Sequence, residues 1–110
     1  MASLDAFLDL DVRIGTIVAA EPLRGAPRPT LALRIAFGEL GTRAAGAELV
    51  DLYDPAELVG LQVAAIVNLP VQTIAGLRSE VLVLAADNGR GEQALLIPER
   101  PLPDGARVGR

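Results

Sequence analysis

An all-β barrel of five to six short strands is what this sequence predicts, on three observations. Apolar and polar residues alternate in several runs too short for helices, and segments rich in glycine and proline separate those runs. Of the 110 residues, 51% are hydrophobic but only two Phe and one Tyr are aromatic, so the core must be packed from Val, Leu, Ile and Ala, which favours β-branched strand packing. The length suits one core, and residues 1–110 are read as a single domain.

The elements follow in order. SLDAFLDL offers Ser3 as an N-cap with Leu4, Phe7 and Leu8 at helical spacing, predicting a short helix over 3–9. DVRIGTIVAAE (11–21) is the first strand, with Val12, Ile14, Thr16 and Val18 on one side and Gly15 where the strand bends. PLRGAPRP, with three prolines and a glycine, is a loop. TLALRIAF (30–37) is the second strand, pointing Leu31, Leu33, Ile35 and Phe37 inward and Arg34 outward, and Gly38 to Gly41 turns the chain. TRAAGAELV (42–50) is a weaker third strand. Asp54 then caps a short helix with Pro55 at its first position.

QVAAIVNL (62–69), EVLVLAA (80–86) and QALLIP (93–98) supply three more strands, with Val81 and Leu82 assigned to the core and a glycine-rich turn over 87–91. Between the first two of these lies a polar stretch holding Gly76, Arg78, Ser79 and Glu80, too long for a plain hairpin turn. It is expected to cross an open barrel edge or to build a docking surface, with Gly76 at positive φ. The tail, 99–110, is a loop ending in a brief strand. Strands in this order, with one helix after the third and another at the N-terminus, predict an OB-fold Greek-key barrel; a small sandwich is the alternative.

Composition narrows the chemistry. All ten basic residues are Arg, against 14 acids, giving a net charge of −4 where a nucleic-acid binder usually shows a basic face. A local arginine stripe stays compatible with that balance. Without histidine or cysteine, metal sites and nucleophilic or acid–base catalysis built on those residues are excluded, and no calcium-loop pattern occurs. Neither an enzyme nor a cofactor is expected. No apolar run reaches the roughly 18 residues of a membrane span, and no basic segment precedes an apolar one at the N-terminus, so a soluble cytoplasmic protein without membrane insertion is expected.

The order FLDLDVRIGTIVAAE, LALRIAFG, NLPVQTIAGLRSEVLVLAA and LLIPERPLPDGARVG carries a resemblance over nearly the whole chain. It resembles the CsaA family of export-related chaperones, a single-domain branch of the tRNA-binding domain also appended to some aminoacyl-tRNA synthetases. The resemblance implies an OB fold, a homodimer, tRNA binding on the barrel face and a chaperone-like affinity for unfolded or pre-export polypeptide. Ala45, Gly46, Ala47 and Glu48 stand where the family commonly has Ser-Ser-Ala-Gln, and Asp51, Leu52, Asp54, Gln72 and Thr73 stand where basic residues are typical. Weakened RNA binding is therefore expected, because each lost phosphate contact flattens the salt dependence by about one unit.

The RNA-binding candidates left are Asn68, Arg78, Ser79, Arg43 and Leu82. Three of the polar ones have a structural reading beside the functional one: Asn68 holding a turn, Ser79 capping the crossing, Arg78 in a weak surface ion pair with Glu80. Arg34, on the outward face of the second strand, has two readings, contact with RNA or merely solubilising the sheet, and the second is preferred. The dimer candidates are Leu4, Phe7 and Leu8, a stripe with little to pack on in one subunit, together with Leu102 and Val108, anchors of a tail laid across a neighbour. The competing reading is a homodimer whose acidified surface ignores RNA and whose groove between subunits takes extended peptide.

Overall fold

The computed structural model describes residues 1–109; Arg110, the last residue of the expected C-terminal extension, lies outside the described residues. In chain order the elements are α1 (Leu4–Leu8), β1 (Val12–Pro22), β2 (Leu31–Ala36), β3 (Thr42–Ala47), α2 (Pro55–Leu58), β4 (Gln62–Ile66), β5 (Gln72–Ile74), β6 (Leu77–Ser79), β7 (Leu82–Val83), β8 (Ala85–Asp87), β9 (Gln93–Leu95) and β10 (Arg107–Val108). Ser3 caps α1 by accepting the Ala6 N–H. Asp54 and Glu57 form a reciprocal capping box on α2, which satisfies donors that a helix this short would otherwise leave open.

Five strands, in the order β3-β2-β1-β4-β7, make one antiparallel sheet that curls until β7 lies beside β3. That is the OB-fold Greek-key barrel, nearly closed. Its interior is aliphatic apart from one ring: Leu31, Leu33, Ile35 and Phe37 are at most 1% exposed and meet Ile17, Leu58, Val63, Ala65 and Val81. Among the described residues no helix is long and apolar enough to cross a membrane.

In β1 the expected single row breaks. Ile17 is fully buried and Val18 is 48% exposed, the reverse of the alternation that put Thr16 and Val18 inward with Ile14. The inward row runs through Gly15, which pairs with Val63 of β4, and Ile17. Val12 and Ile14, though buried, lie outside the central cluster. A register shift between Ile17 and Ala19 marks a bulge where the strand bends from β4 toward β2. When both rows of a strand are apolar, period-two patterning does not say which row faces in. The same ambiguity misassigned Leu82: with Val81 at 4% exposure, its neighbour must point the other way, and Leu82 is 50% exposed.

The polar stretch is neither a bare crossing nor a plain loop. β5 and β6 form a separate two-stranded hairpin closed at Ala75 and Gly76, both at positive φ (47° and 85°), as a tight two-residue hairpin turn demands.

The tail lies along its own barrel. Val108 pairs with Val12, the Ile14 N–H donates to the Ala106 carbonyl, and Gly105 N–H donates to the Ile14 carbonyl. Arg13 ties this pole together, donating to the Asp11 carboxylate at 2.6 Å and to the Gly105 carbonyl at 3.0 Å, while Arg107 donates to the Leu8 carbonyl at 3.3 Å. The Arg13 hydrogen bond holds the Asp11 carboxyl below its usual range, against partial desolvation and with help from the charges of Arg13 and Arg107.

Candidate nucleic-acid interface

The outer side of β2 and β3 is bordered by two excursions, the β1–β2 loop (23–30) and the β5–β6 hairpin. The loop is closed by the Leu23 N–H donating to the Thr30 carbonyl, and its Arg28 carbonyl accepts from the Thr30 hydroxyl at 2.8 Å. Its tip meets the hairpin tip: a Cβ built on Gly25 would stand 3.9 Å from the Ala75 Cβ. The hairpin in turn lies on β3 at Gly46, where an added Cβ would come within 3.1 Å of Ile74 and 3.6 Å of Leu77. A small residue at 46 is what lets the hairpin lie so close.

β3 is the sheet edge here, and the hairpin completes it. The Ala44 N–H donates to the Glu80 carboxylate at 2.8 Å, the Glu80 N–H returns to the Ala44 carbonyl, and the Gly46 N–H donates to the Ser79 hydroxyl at 3.0 Å. Charge and hydroxyl are kept in this stretch because two edge N–H groups need acceptors. Ser79, 8% exposed, is thus occupied within the chain. Ser79→Ala is expected to cost about 1–3 kcal/mol in urea unfolding, the range for stranding a buried donor. Unchanged stability with lost RNA affinity would return Ser79 to the interface.

The other candidates separate. Asn68 is engaged at the foot of the excursion, its Oδ1 accepting from the Asp11 N–H at 2.8 Å and its Nδ2 donating to the Asp9 carbonyl at 2.9 Å. Arg43 shares the inward row with Ala45, is half-buried, and donates from Nε to the Leu40 carbonyl at 3.2 Å. Arg78 is exposed on the solvent side of the hairpin, opposite Thr73. Leu82 lies at the rim where two apolar clefts of about 430 and 250 Å³ meet, sharing Gly46 and Ile74 with it. Of the dimer candidates, Leu4, Phe7, Leu8 and Leu102 are 38 to 46% exposed, whereas Val108 is engaged by β1.

Ion pairing reveals what the sequence reading missed. Among the described residues, Arg13, Arg28, Arg90, Arg100 and Arg107 each have a carboxylate within 4.0 Å, whereas Arg24, Arg34, Arg43 and Arg78 have none. All four unpaired guanidinia belong to β2, β3 or the two excursions beside them, and Arg24, Arg34 and Arg78 are exposed. Arg34 stands over a floor of Ala19, Ala32 and Ala44 in a shallow cleft of about 280 Å³, with Leu77 of the hairpin and Glu21 as neighbours. Alternation had already pointed Arg34 outward; its meeting with the hairpin depends on the tertiary fold.

The interface has no ring to stack on a base. Phe37 is buried, Tyr53 accepts the Leu95 N–H with its hydroxyl, and Phe7 is on α1. What the surface offers a nucleic acid is therefore guanidinium groups over small side chains, suited to phosphates and backbone shape.

Comparison with known proteins agrees in family and fold. Residues 12–107 match the family model described as "Putative tRNA binding domain". The chain is 36% identical over 108 residues to the methionine–tRNA ligase of Methanococcoides burtonii; the match covers 98% of this chain and 16% of that enzyme, so the chain spans a small part of the length of such curated relatives. The crystal structure of the chaperone CsaA from Bacillus anthracis superposes with a TM-score of 0.94 at 42% identity, covering 99% of both chains. That of the CsaA chaperone protein from Picrophilus torridus gives 0.92 at 34%, over 99% of this chain and 100% of the other.

Proposed function

This chain belongs to the tRNA-binding domain family, in its CsaA-like branch, and from that premise we propose that it binds tRNA through the outer side of β2 and the two excursions flanking it. The observation that carries the reading is the gathering of unpaired arginines there, in a chain whose net charge is −4. Arg24, Arg34 and Arg78 take phosphates, and the alanine floor lets the backbone approach. With few such contacts, binding is weak and steep in salt. Fluorescence anisotropy with unfractionated tRNA is expected to give a Kd weaker than about 1 µM at physiological salt, and a log–log salt slope of about −3. Tight binding that resists salt would contradict it. We also propose a cytoplasmic location, the reading that an affinity for tRNA supports.

A second reading draws on the apolar clefts on either side of Ile74, which suit the side chains of an extended, unfolded or pre-export polypeptide. Binding of that kind hardly changes with salt, which separates the two in one titration series. We also propose a homodimer, supported by the exposed Leu4, Phe7 and Leu8 of α1, a helix with no buried residue. Leu102 is the tail residue left to meet the partner. Light scattering is expected to give the mass of two chains, with Phe7→Glu shifting it toward one; a single-chain mass for the parent protein rejects the dimer.

A further inference from the structure

The β1–β2 loop carries a second arginine beside Arg24 that the proposed interface does not use. Arg28 Nε sits 3.3 Å from Glu48 Oε1, just beyond the end of β3, and the two side chains line the mouth of the larger apolar cleft together. Arg28, Glu48 and Asp51 also border a smaller recess of about 180 Å³, and among the described residues Glu48 is the one carboxylate within 4.0 Å of this guanidinium. The Thr30 hydroxyl on the Arg28 carbonyl fixes the backbone from which the side chain leaves.

Resting on the RNA-binding reading, we propose that Glu48 is a specificity-determining residue of that interface: it holds Arg28 away from phosphate and keeps affinity for polyanions low. Arg28 is 76% exposed and Glu48 49%, so the pair sits in high dielectric, where such pairs are weak. A phosphate offers the guanidinium two charge-assisted hydrogen bonds in place of this exposed carboxylate contact, but must approach past the Glu48 charge. Glu48 thus acts twice, as a competitor for Arg28 and as a repulsive charge beside the path of the RNA backbone. Only the first of these requires Arg28, and that makes them separable.

The test is tRNA anisotropy across a salt series for the parent, Glu48→Gln, Arg28→Ala and the double variant, with Glu48→Ala as a second neutral replacement and thermal melts to confirm folding. Glu48→Gln is expected to tighten binding about fivefold at low salt, the factor corresponding to an exposed pair at the upper end of its range, and to steepen the salt slope by about one unit. In the Arg28→Ala background that gain should shrink to the smaller part that removing the repulsive charge supplies by itself. A gain of equal size with or without Arg28 overturns the competition and leaves simple repulsion. No gain in either background, while the parent binds tRNA, overturns the inference alone. If neither the parent nor Glu48→Gln binds tRNA at the lowest salt, the underlying RNA reading falls with it.

Discussion

Gly15→Val is expected to destabilise the protein by about 3 kcal/mol or more, the upper range for forcing extra methyls into a packed core. A Cβ at position 15 would stand 2.7 Å from Cγ2 of Ile35 and 2.7 Å from the ring of Phe37, and both of those residues are fully buried. Neither can retreat cheaply: Ile35 is held on β2 between β1 and β3, and Phe37 fills the end of the barrel next to the Gly38 turn. Gly15 is therefore a space requirement at the point where β1 presses on β2. Against a typical total stability of about 5–15 kcal/mol, the loss is large enough to read directly as a lowered urea midpoint. A variant within about 1 kcal/mol of the parent would show that the core repacks around the new side chain.

The largest functional effect is expected from Arg24→Ala, Arg34→Ala and Arg78→Ala combined. If each guanidinium meets one phosphate, the slope of log K against log salt should fall by nearly three units, with affinity near 0.1 M salt falling on the order of a hundredfold or more. Because all three are exposed and have no ion pair among the described residues, the thermal midpoint should barely move. Arg100→Ala makes the control, an exposed arginine already paired with Glu99 in a cleft beside Thr16 and Gln62 that shares no residue with the proposed interface. An equal loss per arginine removed, at the control site and at the interface, would mean that tRNA is attracted diffusely.

What the sequence revealed and what it hid divide along the reach of local patterning. β2 was legible in full, because Leu31, Leu33, Ile35 and Phe37 alternate without a break and all four are buried. β1 was legible as a strand but not in phase, since Val12, Ile14, Ile17 and Val18 put apolar side chains on both rows and only the pairing of Gly15 with Val63 selects the inner one. The β5–β6 hairpin hid because its turn pairs Gly76 with Ala75, a residue that rarely adopts positive φ. The same limit governs the site. Arg78 was found by its place in a motif; Arg34 was weighed as an RNA contact but set aside, and Arg24 was missed, because the β1–β2 loop meets Ala75 and Leu77 comes beside Arg34 only in the tertiary fold. Ser79 and Asn68 drew attention as polar residues in an apolar stretch, and their partners turned out to be backbone groups of Gly46, Asp11 and Asp9.

Nitrogen–proton correlation spectra of the isotope-labelled protein, titrated with unfractionated tRNA at low salt, read residue by residue where the RNA sits. The expected result is perturbation concentrated in residues 23–30, along Ala32 to Ala36 and through 72–80, reversed by added salt, with the Asp11–Arg13–Arg107 pole and the 96–102 segment unmoved. Perturbations gathered at that pole, or spread evenly over the barrel, would contradict it.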